Sequence, residues 1–481
     1  MSMNFRYGCH LAGLVIALKW ATPIAAQTLP LIDLSQSLIA TETHCVVPNP
    51  DVLDRPAQPQ AVQVQTVCPL TLEQAIAFAL QHNPKLRAQA LTLEKSKAAL
   101  RQANAALYPT VTLQGGPNRQ ESFDLSNQST TTTTATVSNT LSGEASVSYN
   151  LYTSGQRAAN IRAAQKQVDY DALGVRALTE QTRLDITTNY YDLQNADAQV
   201  TIQNAAVANA QESLRIAEAR EKFGIGTRFD VLQSRVQLAN ATQNLTNALS
   251  QQKIARRQLA QQLNLAQTIN LTAADPVQAV GTWPLTLETS IVQAYAFRVE
   301  LDQYLAQKEI GQQNRRAALA ALGPTLALTG SANLSGGLDS SSNWSTGYSV
   351  GANVQWTAFD GGAARASAKQ FEKTMEIAEA NFADTRNQIR FEVEQAYENS
   401  RANLENIQTT TLAIEEAQEA LRLARLRFEA GVGTQSDVID AESNLTQAQG
   451  NRIEAIVNYN KAIATLIRNT GDLRVEPQSM P

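Results

Sequence analysis

Two aspartates, Asp437 and Asp440, lie three residues apart just after a glycine-rich turn, in a stretch predicted to be helical. Side chains three apart lie on one face of an α-helix, so these carboxylates would form a negative patch that attracts cations. Asp437 and its counterpart Asp230 each follow a threonine by three residues, as in the capping box that closes the first turn of a helix. Capping therefore accounts for Asp230 and Asp437, but not for Asp440, whose counterpart is Gln233.

The turns that precede these aspartates share one pattern: two glycines around an apolar residue, then a threonine. They consist of Gly224, Ile225, Gly226 and Thr227, and, 207 residues later, of Gly431, Val432, Gly433 and Thr434. Glycine relieves the steric cost of a tight reversal between two helices. An apolar residue at the apex is unusual for a bare loop and indicates a second role besides turning.

Residues able to do other chemistry are few. The three histidines, His10, His44 and His82, form no cluster with cysteine or aspartate at metal-ligand spacing. No glycine-rich phosphate loop follows a buried strand. The net charge of −5 offers no basic footprint for nucleic acid. We therefore predict that the protein is not an enzyme, takes no cofactor or metal and binds no nucleic acid.

The N-terminus has the features of a secretory signal peptide over residues 1–26, with Arg6 before an apolar stretch and two small residues at its end. Residues 27–68 form a leader rich in proline and glutamine. Cys45 and Cys68 are the two cysteines of the exported chain, where a disulfide is favoured and two free thiols are the alternative. No later apolar run reaches 18 residues, so the sequence predicts no transmembrane helix.

The rest of the chain consists of two copies of one repeat, over residues 69–283 and 284–471, followed by a short tail at 472–481. The motif PLTLE at residue 69 recurs at residue 284, an offset of 215, whereas the glycine turns recur at an offset of 207. The difference falls in a polar tract of the first copy, because loops absorb changes of length. Each copy has the order helix, strand, polar loop, strand, long helix, glycine turn and helix.

Two segments alternate apolar and polar residues, as half-buried strands do: residues 145–152 and their counterpart at 348–357. Two shorter alternating stretches begin at Thr110 and Thr325. Small polar groups on one face suit an outer-membrane barrel, and one sheet of a soluble sandwich is the alternative. Open strand edges are not tolerated in lipid, so a barrel would have to be shared by several chains. Three chains, with four strands each, would supply twelve.

The long helices carry heptads, typical of coiled-coil packing. Ile186, Leu193 and Val200 recur every seven residues, and the second copy repeats the spacing from Val393. The helix at 157–222 would span roughly 100 Å. The shorter helices predicted at 84–107 and 229–265 nearly match that length together, which predicts that they stack end to end beside it.

The ordered set of motifs resembles the TolC-like outer membrane efflux family. The matching features are the two LTLE segments, HNPKL at residues 82–86, the strand entries YPT and GPT, the strand exits LYTSG and AFDGG, and the two glycine turns. The resemblance implies a mainly α protein with membrane β structure: a homotrimer with a twelve-stranded barrel in outer membrane lipid and an α-helical coiled-coil tunnel in the periplasm. It also implies export of drugs, small toxic compounds or proteins, with a periplasmic adaptor and an inner-membrane pump of the RND, ABC or MFS class.

The resemblance also assigns roles at the tips. The two glycine turns become candidate docking sites for the adaptor, and Asp437 with Asp440 become acidic rings at a periplasmic gate. Six carboxylates gathered in a trimer should favour cations and raise one another's pKa. Asp230 matches an acidic partner of the links that hold such a gate shut. The family's basic partner is missing, because Gln435 stands in that stretch and Arg228 lies in the first copy instead.

Two alternatives stay open at this point. A secreted coiled-coil adhesin or structural fibre would also show heptads, threonine-rich loops and a signal peptide. It would not need four alternating strands at matched places in a duplicated unit. A pump adaptor should show a small β-barrel module beside one hairpin, which the sequence lacks.

Overall fold

The computed structural model describes residue 47 and residues 56–124, 134–266, 268–338 and 344–471. The chain divides into two units, residues 1–44 and 45–481. The first unit, the predicted signal peptide and most of the predicted leader lie outside the described residues. The fold described below belongs to the second unit.

Eight α-helices among the described residues form two matched sets of four. The first set is α1 (Leu72–His82), α2 (Pro84–Ala105), α3 (Gln156–Lys222) and α4 (Arg228–Gln262). The second set is α5 (Leu287–Phe297), α6 (Val299–Ala320), α7 (Ala363–Glu429) and α8 (Gln435–Thr470). The long helices α3 and α7 each contain 67 residues. Within the described residues, no helix is both long and apolar enough to cross a membrane.

Local capping explains why the short helices begin where they do. Thr71 forms a capping box with Gln74 at the start of α1. The motif HNP then ends α1 at His82, because the side chain of Asn83 accepts hydrogen bonds from Lys85 and Leu86 and so starts α2. The break between α1 and α2 therefore lies at Asn83.

Six strands among the described residues form two sheets. The strands are β1 (Thr66–Leu70), β2 (Thr110–Asp124), β3 (Thr134–Tyr152), β4 (Ile269–Ala273), β5 (Thr325–Gly337) and β6 (Trp344–Gln355). Four of them form an antiparallel sheet in the order β2-β3-β5-β6. Thr110 lies opposite Ser148, and Thr325 opposite Gln355. The four predicted strands therefore form one sheet whose edges are β2 and β6.

The other sheet, β1 paired in parallel with β4, has no counterpart in the sequence predictions. It lies at the centre of the largest apolar cluster, where Cys68 and Leu271 are fully buried beside Tyr190 of α3. The Tyr190 hydroxyl donates to the carboxylate of Asp275 at 2.7 Å and lies 3.0 Å from the carbonyl oxygen of Leu70. Strand β1 also crosses the boundary between leader and first repeat that we placed after residue 68.

The heptad positions lie on the packed faces of the long helices, though not all are fully buried. Ile186, Leu193 and Val393 have no exposed surface, whereas Val200 is half-buried. Along its length α3 packs against both α2 and α4, as the lengths of the helices predicted. It also packs against α6 and α8, so the two repeats share one helical layer.

Candidate functional site

The two turns at the far ends of α3 and α7 have the same backbone geometry, and each glycine has its own reason. Gly224 and Gly431 have φ of +75° and +77°, a left-handed conformation that L side chains rarely adopt. Gly226 meets a different constraint, because a Cβ there would lie 2.8 Å from the Cβ of Arg220. Its amide donates to the Arg220 carbonyl at 3.0 Å, which closes the end of α3. Gly433 repeats this contact at the end of α7.

Each turn presents apolar side chains outward. The exposed fraction is 66% for Ile225 and 71% for Val432. Phe223 and Phe229, which flank the first turn, are 76% and 71% exposed. Apolar side chains grouped in this way on a surface are typical of a contact with another protein.

Both predicted capping boxes are present. The Asp230 carboxylate accepts from the Thr227 amide at 3.0 Å and from the Thr227 hydroxyl at 2.7 Å. The Asp437 carboxylate accepts from the Thr434 amide at 2.9 Å. This backbone hydrogen bond, with the Thr434 side chain, holds the pKa of Asp437 below its usual value. Crowded carboxylates would raise the pKa of Asp437, whereas in the single chain its pKa is lowered. The reason is that the capping hydrogen bonds stabilise the charged form.

Asp437 and Asp440 lie on the same exposed face of α8, as their spacing predicted. Gln435, Val438 and Ile439 are all buried and form the opposite face. Among the described residues, Asp440 forms no ion pair. Two exposed carboxylates therefore remain directed away from the packed side of this helix.

The two residues singled out as latch candidates do not link the hairpins in this chain. Arg228 lies 3.5 Å from the Glu221 carboxylate, which belongs to its own hairpin. Gln435 is 2% exposed, and its Nε2 has no hydrogen-bond partner among the described residues. Asp230 is occupied by its capping box.

Contacts that do join the hairpins come from residues that the sequence did not single out. The Arg220 guanidinium donates to the Phe428 carbonyl at 3.1 Å and lies 4.5 Å from the centroid of its ring. Gln233, the counterpart of Asp440, donates to the Ser436 hydroxyl at 3.3 Å. These contacts connect the α3–α4 hairpin to the α7–α8 hairpin close to the tips. Nothing in the local sequence pattern marks either pair.

Further from the tips, one ion pair occurs in both hairpins with its charges exchanged. Glu218 of α3 pairs with Arg235 of α4, and at the matched positions Arg425 of α7 pairs with Glu442 of α8, at 2.8 and 2.9 Å. The first pair is half exposed, whereas Glu442 is only 5% exposed and also accepts from Ser213 of α3. The second pair therefore fastens one hairpin to the other.

A second buried ionic cluster lies where α6 and α7 meet the end of α8. Arg298 binds Glu300 and Glu392 at 3.0 and 2.9 Å, and Arg468 binds Glu300 and approaches Glu180. Burial raises the pKa of Glu300, but the attraction of the two guanidinium groups outweighs it and lowers the pKa to about 2. Burial raises the pKa of Glu180, and Arg468 only partly offsets this effect. The cluster is built around Glu300 as its main anion.

The predicted disulfide falls partly outside the described residues. Cys68 is disulfide-bonded and fully buried in β1. Cys45 lies outside the described residues, so the pairing of Cys45 with Cys68 stays a prediction.

Comparison with known proteins identifies the class of protein to which this sheet and these hairpins belong. Residues 75–265 and 291–472 match the family described as outer membrane efflux protein. The two matched ranges follow the two repeats. The chain belongs to the outer membrane efflux protein family.

Characterised relatives agree with this assignment. Protein CyaE of Bordetella pertussis is 25% identical over 424 residues, covering 84% of each chain. The pyoverdine export outer membrane protein OpmQ of Pseudomonas aeruginosa is 26% identical over 425 residues, covering 82% of this chain and 84% of the relative. The CmeC outer membrane channel of Campylobacter jejuni has the same fold, with a TM-score of 0.72 at 16% identity, covering 89% of this chain and 95% of CmeC.

The predicted class, fold and location are thereby confirmed. The chain is an outer membrane channel protein of the TolC-like fold, with a barrel that continues into a helical tunnel in the periplasm. Nothing in these comparisons supports the adhesin alternative.

Proposed function

We propose that three copies of this chain form one exit duct across the outer membrane and the periplasm. The observation that carries the proposal is the four-stranded sheet with free edges at β2 and β6. A sheet with free edges is not stable in lipid, whereas three such sheets joined edge to edge would close a barrel of twelve strands. Exposed apolar side chains on β6, including Tyr348 and Val350 at 87% and 84%, suit a lipid-facing wall.

The duct works with a periplasmic adaptor and an inner-membrane pump of the RND, ABC or MFS class, and exports small molecules or proteins without catalysis of its own. The names of the relatives support this range, since OpmQ exports pyoverdine and CzcC of Cupriavidus metallidurans is a cobalt-zinc-cadmium resistance protein. The exposed apolar turns around Ile225 and Val432 are the proposed adaptor contact.

Asp437 and Asp440 are the proposed gate, and Asp230 is a further proposed member of it. In a trimer the α8 carboxylates would meet around one axis and favour cations. Support for this role comes from their exposure on the side of α8 opposite to its packed face.

Single-channel recording in planar bilayers tests the duct directly. Purified full-length protein should migrate as a trimer and produce a small, cation-selective conductance. A folded monomer, or a folded trimer that inserts without conducting, would contradict the proposal.

A further inference from the structure

Four helix ends lie next to the barrel sheet, and all four are basic. They are the last nine residues of α2 and α6, 97–105 and 312–320, and the first nine of α3 and α7, 156–164 and 363–371. Each of these stretches contains two lysines or arginines and no aspartate or glutamate. We call these eight cations the basic collar. Nine helical residues span about 14 Å, so the collar is a narrow band directly below the strands.

The overall charge of the chain gives no reason to expect this band. The protein carries a net charge of −5, so acidic residues predominate elsewhere. Among the described residues, only one collar cation has a carboxylate within salt-bridge distance: Lys369, which pairs with Glu372 at 2.6 Å. Arg101, Arg162, Arg316 and Arg365 are exposed and form no ion pair with described residues.

The helix dipole does not explain the collar. Its effect falls off within the terminal turn, where α2 and α6 have no basic residue. Arg157 of α3 and Arg365 of α7 lie in first turns, where the dipole disfavours a cation. Five of the eight described helices have an acid in the first turn, as Asp230 in α4 and Asp437 in α8 illustrate, whereas α2, α3 and α7 have none.

Just before α7, the Asp360 carboxylate accepts from the amides of Gly362 and Ala364. Of the two first-turn cations, Arg157 donates to the carbonyls of Ala106 and Asn150. The charge of Arg365 is balanced by no ion pair with a described residue.

The duplication places the same charge at matched positions. Arg101 corresponds to Arg316 at the offset of 215, and Arg162 corresponds to Lys369 at the offset of 207. A ring of copies would present these cations at one height around the tunnel. Neighbouring copies related by rotation about the tunnel axis would bring the same basic residues to that height.

Exposed aromatic residues mark where the lipid surface begins. Tyr108, Trp356 and Phe359 lie between the strands and the helix ends, and Tyr152 is the last residue of β3. Their exposed fractions are 71%, 66%, 86% and 54%. Tyrosine and tryptophan concentrate at the edge of a bilayer, where the rings reach the head groups. The long side chains of the collar are immediately beyond them and can extend toward that edge.

We propose that the basic collar binds the phosphate groups of anionic phospholipids in the membrane leaflet that faces the helices. The occupant is fixed by charge complementarity and by continuity with the lipid-facing sheet. This inference rests on the proposed function, because it assumes that the four strands of the sheet span the outer membrane. The collar sets the depth of the channel in the membrane and selects its lipid neighbours.

Quenching of Trp356 fluorescence by brominated lipids tests the collar. The full-length protein carrying Trp344→Phe, which removes the exposed tryptophan at the other end of β6, is reconstituted in vesicles of equal parts phosphatidylcholine and phosphatidylglycerol. Bromine is placed on one lipid at a time. Quenching by brominated phosphatidylglycerol should exceed quenching by brominated phosphatidylcholine by about twofold or more, because each basic residue near the surface attracts anionic lipid.

Two changes should bring the two quenching values together. One is salt high enough to reduce the Debye length to about 3 Å. The other is the fourfold variant R101Q, R162Q, R316Q and K369Q. The matched control, R215Q with R422Q, removes exposed cations that pair within their own helices far from the collar, and should keep the preference.

Equal quenching by the two lipids in the unmodified collar would overturn the proposal, as would a preference that survives both high salt and the fourfold variant. If the fourfold variant does not fold, the proposal is tested by the effect of salt on quenching in the protein with the unmodified collar. Conductance measured in the same vesicles separates this failure from failure of the duct, since a conducting channel without lipid preference leaves the proposed function intact.

Discussion

The guanidinium of Arg220, at the end of α3, lies 4.5 Å from the ring centroid of Phe428, at the end of α7, and donates to the Phe428 carbonyl. This contact joins the last turns of the two long helices next to both glycine turns. It provides the cationic link between hairpins that the sequence does not reveal at Arg228 or Gln435. Opening a gate at these tips would require the two helix ends to separate.

We expect Arg220→Ala to increase the single-channel conductance of the closed channel. Loss of the cation–π contact and the hydrogen bond removes on the order of 1–3 kcal/mol of attraction per chain. Planar bilayer recording measures the effect. Arg215→Ala is the control, because Arg215 pairs with Glu212 within its own helix. Equal conductance in the two variants would show that Arg220 has no part in closure.

Asp437→Asn combined with Asp440→Asn should abolish cation selectivity while leaving the trimer folded. The asparagine side-chain oxygen can still accept from the Thr434 amide, so the first turn of α8 is kept and only the charge is lost. Reversal potentials in a salt gradient give the selectivity. Glu212→Gln, which removes an acid that pairs with Arg215 in α3, should leave the reversal potential unchanged. Unchanged cation selectivity in the double variant would mean that both aspartates have only a structural role.

Glu442→Ala should destabilise the protein by about 2 kcal/mol, because it removes the charge-assisted hydrogen bonds that the nearly buried Glu442 carboxylate accepts from Ser213 and Arg425. Glu218→Ala at the matched position in the first hairpin should cost less than about 1 kcal/mol, since that pair is half exposed. Chemical unfolding of the two variants measures the difference. An equal loss of unfolding free energy in the two variants would mean that the pair of Arg425 and Glu442 does not hold the hairpins together more strongly than the pair of Glu218 and Arg235.

Glu300→Gln should lower the unfolding temperature at pH 7 but much less in acid. The folded-state pKa of Glu300 is lowered from 4.5 to about 2, so its contribution is complete above 4.5 and is lost as the pH falls toward 2. That contribution is on the order of 3 kcal/mol per chain. Thermal unfolding between pH 7 and pH 3 follows it, with exposed Glu398→Gln as the control. A difference between variant and original that stays constant with pH would exclude this ionic contribution.

Ile225→Glu combined with Val432→Glu should leave conductance in bilayers unchanged but stop export in cells. Charges at these exposed positions do not disturb the fold, whereas they would disrupt an apolar contact with the adaptor. Leu91→Glu, at an exposed apolar position on α2, is the control and should still export. Normal export by the double variant would argue against docking at the turns.

The sequence by itself determined the duplication, the order of elements and the approximate boundaries of the helices. The reason is that periodicity, capping residues and glycine turns act over a few neighbouring residues. In contrast, β2 and β3 extend well beyond the alternating segments. The alternation at 145–152 and the heptads from Ile186 predicted their elements correctly. The sequence alone also predicted that Asp437 and Asp440 lie on one face of a helix. Both side chains are exposed on the same face of α8, which confirms this placement.

Tertiary structure decided which distant residues meet. The parallel pairing of Cys68 with Leu271 joins positions about two hundred residues apart, and β1 contains a proline and no clear alternation. The contact of Arg220 with Phe428 and the burial of Glu442 depend in the same way on how α3 lies against α7 and α8. The basic collar was hidden in the sequence because its cations lie in four separate segments of an acidic chain. Only the folding of α2, α3, α6 and α7 brings those segments to the same end of the helices, beside the sheet.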